Sequence, residues 1–216
     1  MDSVNKYTLV RELISDWYKE NNRDFPWRTS KSLYQILITE ILLQKTIALN
    51  VSNIYSDFFT KYDSFAKIYN ANTTFLQSDI KVLGLSNKRA KILKDLSKLV
   101  VEDYDGEIPQ DPETLKKING IADYVSNAFA CFGLNRRTFF YDVNIKRFIQ
   151  RVFLAQDVKI KSDIISTELA KLLPKIDFKY TYWAILDFGY KICSKNKPKC
   201  EFCPISDKCF YFLNQL

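Results

Sequence analysis

The chain contains no histidine. That absence removes the usual general base near neutral pH, the Ser-His-Asp arrangement and most catalytic zinc sites together. Any chemistry must rest on carboxylates, tyrosine, lysine, serine, cysteine or a bound cofactor. Glycine and proline are also scarce, at 5 and 6 of 216 residues, and they are scattered, so neither a low-complexity linker nor a fixed-period repeat stands out. No apolar run approaches the length of a membrane span, and MDSVNKYTLVRELISDWYKENNRDF at the start holds none long enough for a signal peptide. The expectation is a cytoplasmic protein with no membrane association.

What is abundant is apolar and aromatic. A hydrophobic content of 47% with 15% aromatics is enough to fill one large core or two small ones, so disorder is not the default. The 32 Lys and Arg against 25 Asp and Glu leave +7, an excess that favours a polyanionic partner without proving one. In a reducing compartment, five cysteines with four of them between positions 193 and 209 point to metal ligation rather than disulfides.

Helical periodicity runs through nearly the whole chain, and strand alternation is scarce. Leu9, Val10, Leu13, Ile14 and Trp17 make an amphipathic helix of Lys6 to Glu20, which Pro26 ends or bends. The stretch SLYQILITEILLQKT, Ser32 to Thr46, is apolar nearly all round, as a helix at the centre of a domain would be. Further helices are expected over 47–60, 64–70, 73–81 and 87–103. Asp111 and Pro112 form an N-cap and first-turn pair for a short helix to about Ile118; Asn119-Gly120 breaks it, and a second helix starts near Asp123. Asp142 can cap a helix to about Phe153, and helices over 162–173 and 179–190 lead into the cysteines. The fold class is all-α. If the N-terminal helix packs with the C-terminal third, 28–134 forms a central six-helix domain, and 1–27 plus 135–216 forms a second helical domain.

Three local patterns carry chemistry. Cys193, Cys200, Cys203 and Cys209 place four soft thiolates in one short coil, a set that suits zinc or an iron-sulfur cluster, whereas Cys131 in NAFACFG reads as an ordinary buried cysteine. Glu40 lies in ITEILLQ, where an ionised carboxylate has no polar face; it needs a partner such as Arg28 or a place in a pocket. Lys195, Lys197 and Lys199 alternate in SKNKPK between two of the cysteines, either as a solvated run or as a phosphate-binding loop.

The spacing C-x6-C-x2-C-x5-C is similar to the cluster signature of the endonuclease III and MutY branch of the helix-hairpin-helix DNA glycosylases. RDFPWR, ITEILLQKT, GLSNKRA, LKKINGIADY and YDVNIKRF occur in that family's order across nearly the whole chain, and the Glu-containing helix and GLSN turn resemble the archaeal-type mismatch-specific thymine glycosylases most. The resemblance implies a two-lobed endonuclease III-like fold, a [4Fe-4S] cluster on the four cysteines, and double-stranded DNA with a mismatched or damaged base as partner of a monomer. It also implies that the target nucleotide is flipped out of the duplex into a pocket between the lobes.

Residue by residue, the resemblance makes Asp142 the catalytic carboxylate and puts Tyr124 where bifunctional members carry a Schiff-base lysine. Glu40 would contact the flipped base, Gln44 and Leu85 would fill the vacated hole, and Asn144 would join the DNA-binding residues. The hairpin at Gly120 and Ala122 would grip a phosphate, often with a monovalent cation on its carbonyls. Family members usually carry a second glycine where this chain has Ala122, which costs about 1 kcal/mol if that position needs positive φ. The expected activity is monofunctional excision of thymine and uracil opposite guanine. The alternatives are a MutY-type adenine glycosylase and a non-enzymatic DNA-binding protein. Against the first, only seven residues follow Cys209, too few for that family's additional C-terminal domain, and Tyr124 replaces a small hydroxyl residue.

Overall fold

Side-chain caps set several of the helix starts. Asn5 accepts from Tyr7 N, Ser32 from Gln35 N, Ser64 from Lys67 N, Asn72 from Thr74 N and Asp111 from Glu113 N and Thr114 N. The computed structural model describes residues 5–154 and 160–214, and among these the regular structure is entirely helical. The helices are α1 (Lys6–Asn21), α2 (Leu33–Leu42), α3 (Ala48–Lys61), α4 (Phe65–Asn70), α5 (Thr73–Asp79), α6 (Ser86–Asp103), α7 (Pro112–Lys116), α8 (Asp123–Phe132), α9 (Val143–Phe153), α10 (Ser162–Leu172), α11 (Phe178–Lys191) and α12 (Phe210–Leu213). None is long and apolar enough to cross a membrane.

The chain divides into two compact units, Met1–Arg23 with Phe139–Leu216, and Asp24–Thr138. In the middle unit α2 is the central element: Ile36 through Leu42 are all buried, including Glu40 at 4% exposure, and the helix packs against α3, α6 and α8. α4 and α5 lie on α6, while Phe25 and Trp27 stack at 4.5 Å in the short 3-10 turn that packs on α2. α7 and α8 form the expected helix, hairpin and helix, spanned by Lys116, whose Nζ lies 2.6 Å from Glu113 and 2.7 Å from Asp123.

In the unit made of the two chain ends, α1 and α9 both pack on α11, and α10 packs on α1 and α9. Asp187 on α11 is fully buried and accepts from the backbone N of Arg23 at 2.8 Å and its Nε at 2.6 Å, so the RDFPWR motif anchors the end of α1's segment to α11. Tyr7 stacks on Phe153 at 4.6 Å, and Trp17 meets Phe188 edge-on at 5.1 Å.

Two expectations are corrected. The helix expected to run to Thr46 stops at Leu42, because Lys45 takes a left-handed backbone (φ 53) and Thr46 turns its hydroxyl to Leu83 O at 3.0 Å. Gln44 therefore lies beyond the helix and not on its next turn. Ala122 has φ −97 and ψ −177, an extended conformation open to any residue, so the anticipated penalty for a missing glycine does not arise. The conformational demand sits at Gly120, with φ 106, where an added Cβ would lie 2.4 Å from Ile92 Cδ1.

Candidate active site and nucleic-acid interface

Asp142 takes an extended backbone ahead of α9, and its Oδ1 accepts from the N–H groups of Asn144 at 2.9 Å and Ile145 at 2.8 Å. The N-cap read from sequence is thus present. Its other oxygen accepts from Asn144 Nδ2 at 2.7 Å, so the carboxylate is held in one orientation by three donors. Asn144 Oδ1 in turn accepts from Arg147 Nη2 at 2.8 Å, and Arg147 donates onward to Gly189 O and Cys193 O, both at 2.9 Å. Gly189 permits this: a Cβ there would lie 3.3 Å from Asn144 Cβ and 3.5 Å from the Arg147 guanidinium.

All four clustered cysteines line one pocket, with Arg151 and Tyr211 beside them, and none of the four is in a disulfide. Burial pushes Cys203 up to about 12 and raises Cys200 and Cys209, with the neighbouring sulfurs adding to the rise. Backbone N–H groups of Ile205 toward Cys203, and of Tyr211 and Phe212 toward Cys209, act in the opposite direction.

Arg151 donates to Cys193 Sγ at 3.4 Å, Ser194 O at 2.7 Å and Lys195 O at 2.9 Å. Ser194 Oγ donates to Lys197 O at 2.6 Å, and Lys199 N to Ile192 O at 3.0 Å. The backbone of all three loop lysines is fixed while their side chains are exposed.

In the middle unit Glu40 is buried in α2, and Tyr124 in the first turn of α8 packs half-buried against the apolar core. Gln44 Nε2 donates to Gly120 O at 3.0 Å, joining the loop after α2 to the hairpin. Leu85 is 58% exposed, with a left-handed backbone (φ 51) immediately before α6.

Residues 38–175 match the model of the HhH-GPD superfamily of base excision DNA repair proteins. The chain belongs to this superfamily. It is 35% identical, over 98% of its own length and 97% of the relative's, to a thymine/uracil-DNA glycosylase of Methanothermobacter thermautotrophicus. A solved thermostable thymine-DNA glycosylase superposes with a TM-score of 0.87 at 33% identity, covering 97% of each chain. A trapped endonuclease III–DNA covalent intermediate superposes at 0.84 with 19% identity over 99% of each chain, which shows the shared fold. The endonuclease III-like all-α expectation is thereby met.

Within this HhH-GPD chain Arg89, Arg147 and Arg151 hold structural positions that no local motif marks. Asn144, Arg147 and Arg151 form one polar stripe of α9, flanking the buried Ile145, Phe148, Ile149 and Val152. Their spacing of three and four residues was a usable signal; their partners, backbone carbonyls from 42 to 46 positions away, were not. Arg89, inside the GLSNKRA motif, likewise bonds a carbonyl 45 positions away.

Proposed function

We propose that this protein is a monofunctional DNA glycosylase that flips thymine or uracil out of G:T and G:U mismatches and hydrolyses the glycosidic bond, leaving an abasic site. The observation that carries the reading is the carboxylate of Asp142, fixed by three donors, in a chain 35% identical over nearly its whole length to a thymine/uracil-DNA glycosylase. As the bond breaks, the sugar becomes an oxocarbenium-like cation, and a prepositioned carboxylate stabilises that cation more than the neutral ground state. Asp142 fills this role and orients the attacking water. Tyr124 has no amine, so no Schiff base forms there and the strand is not nicked. Glu40, a buried carboxylate on the central helix, accepts a hydrogen bond from the flipped base.

Gln44 and Leu85 occupy the space the nucleotide vacates, Gly120 and Ala122 set the hairpin N–H groups against a phosphate, and Asn144 steadies Asp142 at the DNA surface. Lys195, Lys197 and Lys199 meet further phosphates. The donor set at the cysteines fits a [4Fe-4S] cluster: four soft ligands surround one pocket, N–H groups face two of the sulfurs, and Arg151 faces a third. Held by Cys193, Cys200, Cys203 and Cys209, a cluster with four protein ligands would have no open position for substrate and would supply rigidity to the lysine loop.

Labelled duplexes carrying G:T, G:U, A:8-oxoguanine and A:G, each followed by alkali to reveal abasic sites, test the reading. Cleavage after alkali at G:T and G:U alone is the expected result. Release of adenine would replace it with the adenine-glycosylase reading, and no release from any duplex would leave a DNA-binding protein.

A further inference from the structure

Lys45 and Leu85, remote in sequence, both hold left-handed backbones (φ 53 and 51) that L residues with a Cβ avoid. The residue before each, Gln44 and Gly84, offers its carbonyl to the same side chain. Arg89 Nη2 donates to Gln44 O at 2.7 Å, Nη1 donates to Gly84 O, and Nε approaches Ile41 O at 3.5 Å. Arg89 is 3% exposed, and among the described residues no carboxylate pairs with it.

A buried cation balanced only by carbonyls is a costly way to fill space, since a methionine would occupy similar volume without desolvating a charge. The planar fork of a guanidinium does what methionine or lysine cannot: it holds several acceptors in fixed relative positions. Two more bonds fasten the same segments. Thr46 Oγ1 donates to Leu83 O, and Gln44 Nε2 to Gly120 O, both at 3.0 Å. The loop after α2, the turn before α6 and the hairpin are thereby tied to one face of α6, where Ile92, one turn beyond Arg89, closes against Gly120.

We infer that Arg89 is a positioning residue for base excision: its guanidinium clamps the loop bearing Gln44 to the turn bearing Leu85, so that Leu85 and the Gln44 amide, its Nε2 braced on Gly120 O, meet the duplex as a rigid pair. The inference rests on the proposed role of Gln44 and Leu85 in filling the vacated hole. Arg89 acts through these residues and touches no reacting atom.

The test uses Arg89→Met, Arg89→Lys, Leu85→Ala and the Leu85→Ala/Arg89→Met double variant of the full chain. The probe is a duplex with a hydrolysis-resistant thymidine analogue opposite guanine and 2-aminopurine next to it, whose fluorescence rises on unstacking. Arg89→Met should bind undamaged duplex within about threefold of wild type, because that affinity comes from phosphate contacts. Its fluorescence rise should vanish, and single-turnover excision from G:T should fall on the order of 100-fold, the effect of misplacing a positioned group by about 1 Å. The double variant should be no slower than the worse single one, since both remove the same event.

Wild-type excision and fluorescence in Arg89→Met, or losses that multiply in the double variant, would overturn the inference. Should Arg89→Met not fold, Arg89→Lys decides: reduced fluorescence and rate at unchanged melting temperature support the clamp, and wild-type values refute it. If the wild-type protein releases no base from any duplex, the proposed function fails instead. Amide exchange then still tests the clamp, because unchanged protection at Gln44, Thr46 and Gly84, whose N–H groups bond within the clamped segments, in Arg89→Lys would exclude it.

Discussion

Asp142 is asked to do two things, cap α9 and stabilise a cation, and the two can be separated by substitution. Serine and asparagine are N-caps about as good as aspartate, whereas alanine costs about 1 kcal/mol. For a chain of this size that cost lowers the melting temperature by roughly 2–4 °C. Asp142→Ser should therefore melt near wild type and Asp142→Ala a few degrees lower. Asparagine is predicted to be the less comfortable of the two good caps. With its oxygen on the N–H groups of Asn144 and Ile145, its amide nitrogen faces Asn144 Nδ2, itself a donor, and Asn144 cannot reverse without losing Arg147 at 2.8 Å. Serine forfeits the bond from Asn144 Nδ2 as well, about 1 kcal/mol, but sets no donor against it, so that amide is left to water.

Catalysis should follow charge instead of capping. A carboxylate about 4 Å from a developing positive charge, at an effective dielectric of about 20, contributes about 4 kcal/mol. At about 1.4 kcal/mol per factor of ten, that is roughly a thousandfold in rate. All three variants should lose approximately this much in single-turnover excision from a G:T duplex, although their melting temperatures differ. If Asp142→Ser retains a rate within about tenfold of wild type, or if rate tracks melting temperature across the series, Asp142 is a cap and nothing more.

Other consequences are checked by simpler assays. Borohydride added during turnover on a G:U duplex should trap no protein–DNA adduct, and a covalent band on a denaturing gel would contradict the role given to Tyr124. Alanine at Lys195, Lys197 and Lys199 together should weaken binding evenly across duplex sequences and make the plot of log affinity against log salt shallower by about 2.7, at about 0.9 for each phosphate that is no longer neutralised. Protein purified anaerobically should be brown with about four irons per chain. That absorption should survive Asp142→Ser and disappear in Cys203→Ser, while a colourless zinc-containing preparation would remove the cluster from the proposal. Gly120→Ala should cost stability by forcing a Cβ into Ile92 at 2.4 Å with φ 106, and Ile92→Ala should restore only the part due to the clash, as thermal melts of the single and double variants would show.

Features decided within a few residues are legible in the sequence, and those decided by remote contacts are not. Asp111, Asp142 and the hairpin were legible because a cap or a turn is decided within a few residues, and all of them form. The end of α2 was not, because apolar residues continue through Leu43 and no glycine or proline interrupts LLQKT. What stops the helix is tertiary: Thr46 donates to Leu83 O, and Arg89 takes the carbonyl of Gln44 from 45 positions away. The charge placed on Ala122 erred similarly, since a family pattern suggested a positive φ that this backbone requires only at Gly120. Arginines that bind remote carbonyls leave no compositional trace.

The long-range contacts also bear on the four cysteines, which α9 connects to Asp142. α9 spans from the cap at Asp142 to Arg151 beside Cys193, nine residues or roughly 13 Å at about 1.5 Å per residue. Along that length Asn144 grips the carboxylate, and Arg147 grips Asn144 and the Cys193 carbonyl. The cysteine loop and Asp142 are therefore joined by a helix and two side chains, with no covalent chemistry between them. Replacing Arg147 with methionine keeps a side chain of similar length but removes the guanidinium donors to Asn144, Gly189 O and Cys193 O. It should leave the visible absorption of the protein intact while lowering the excision rate, because the Asn144 amide is then free to turn away from Asp142. A variant in which colour and rate fell together would show instead that Arg147 serves the cysteine loop first and Asp142 only through it.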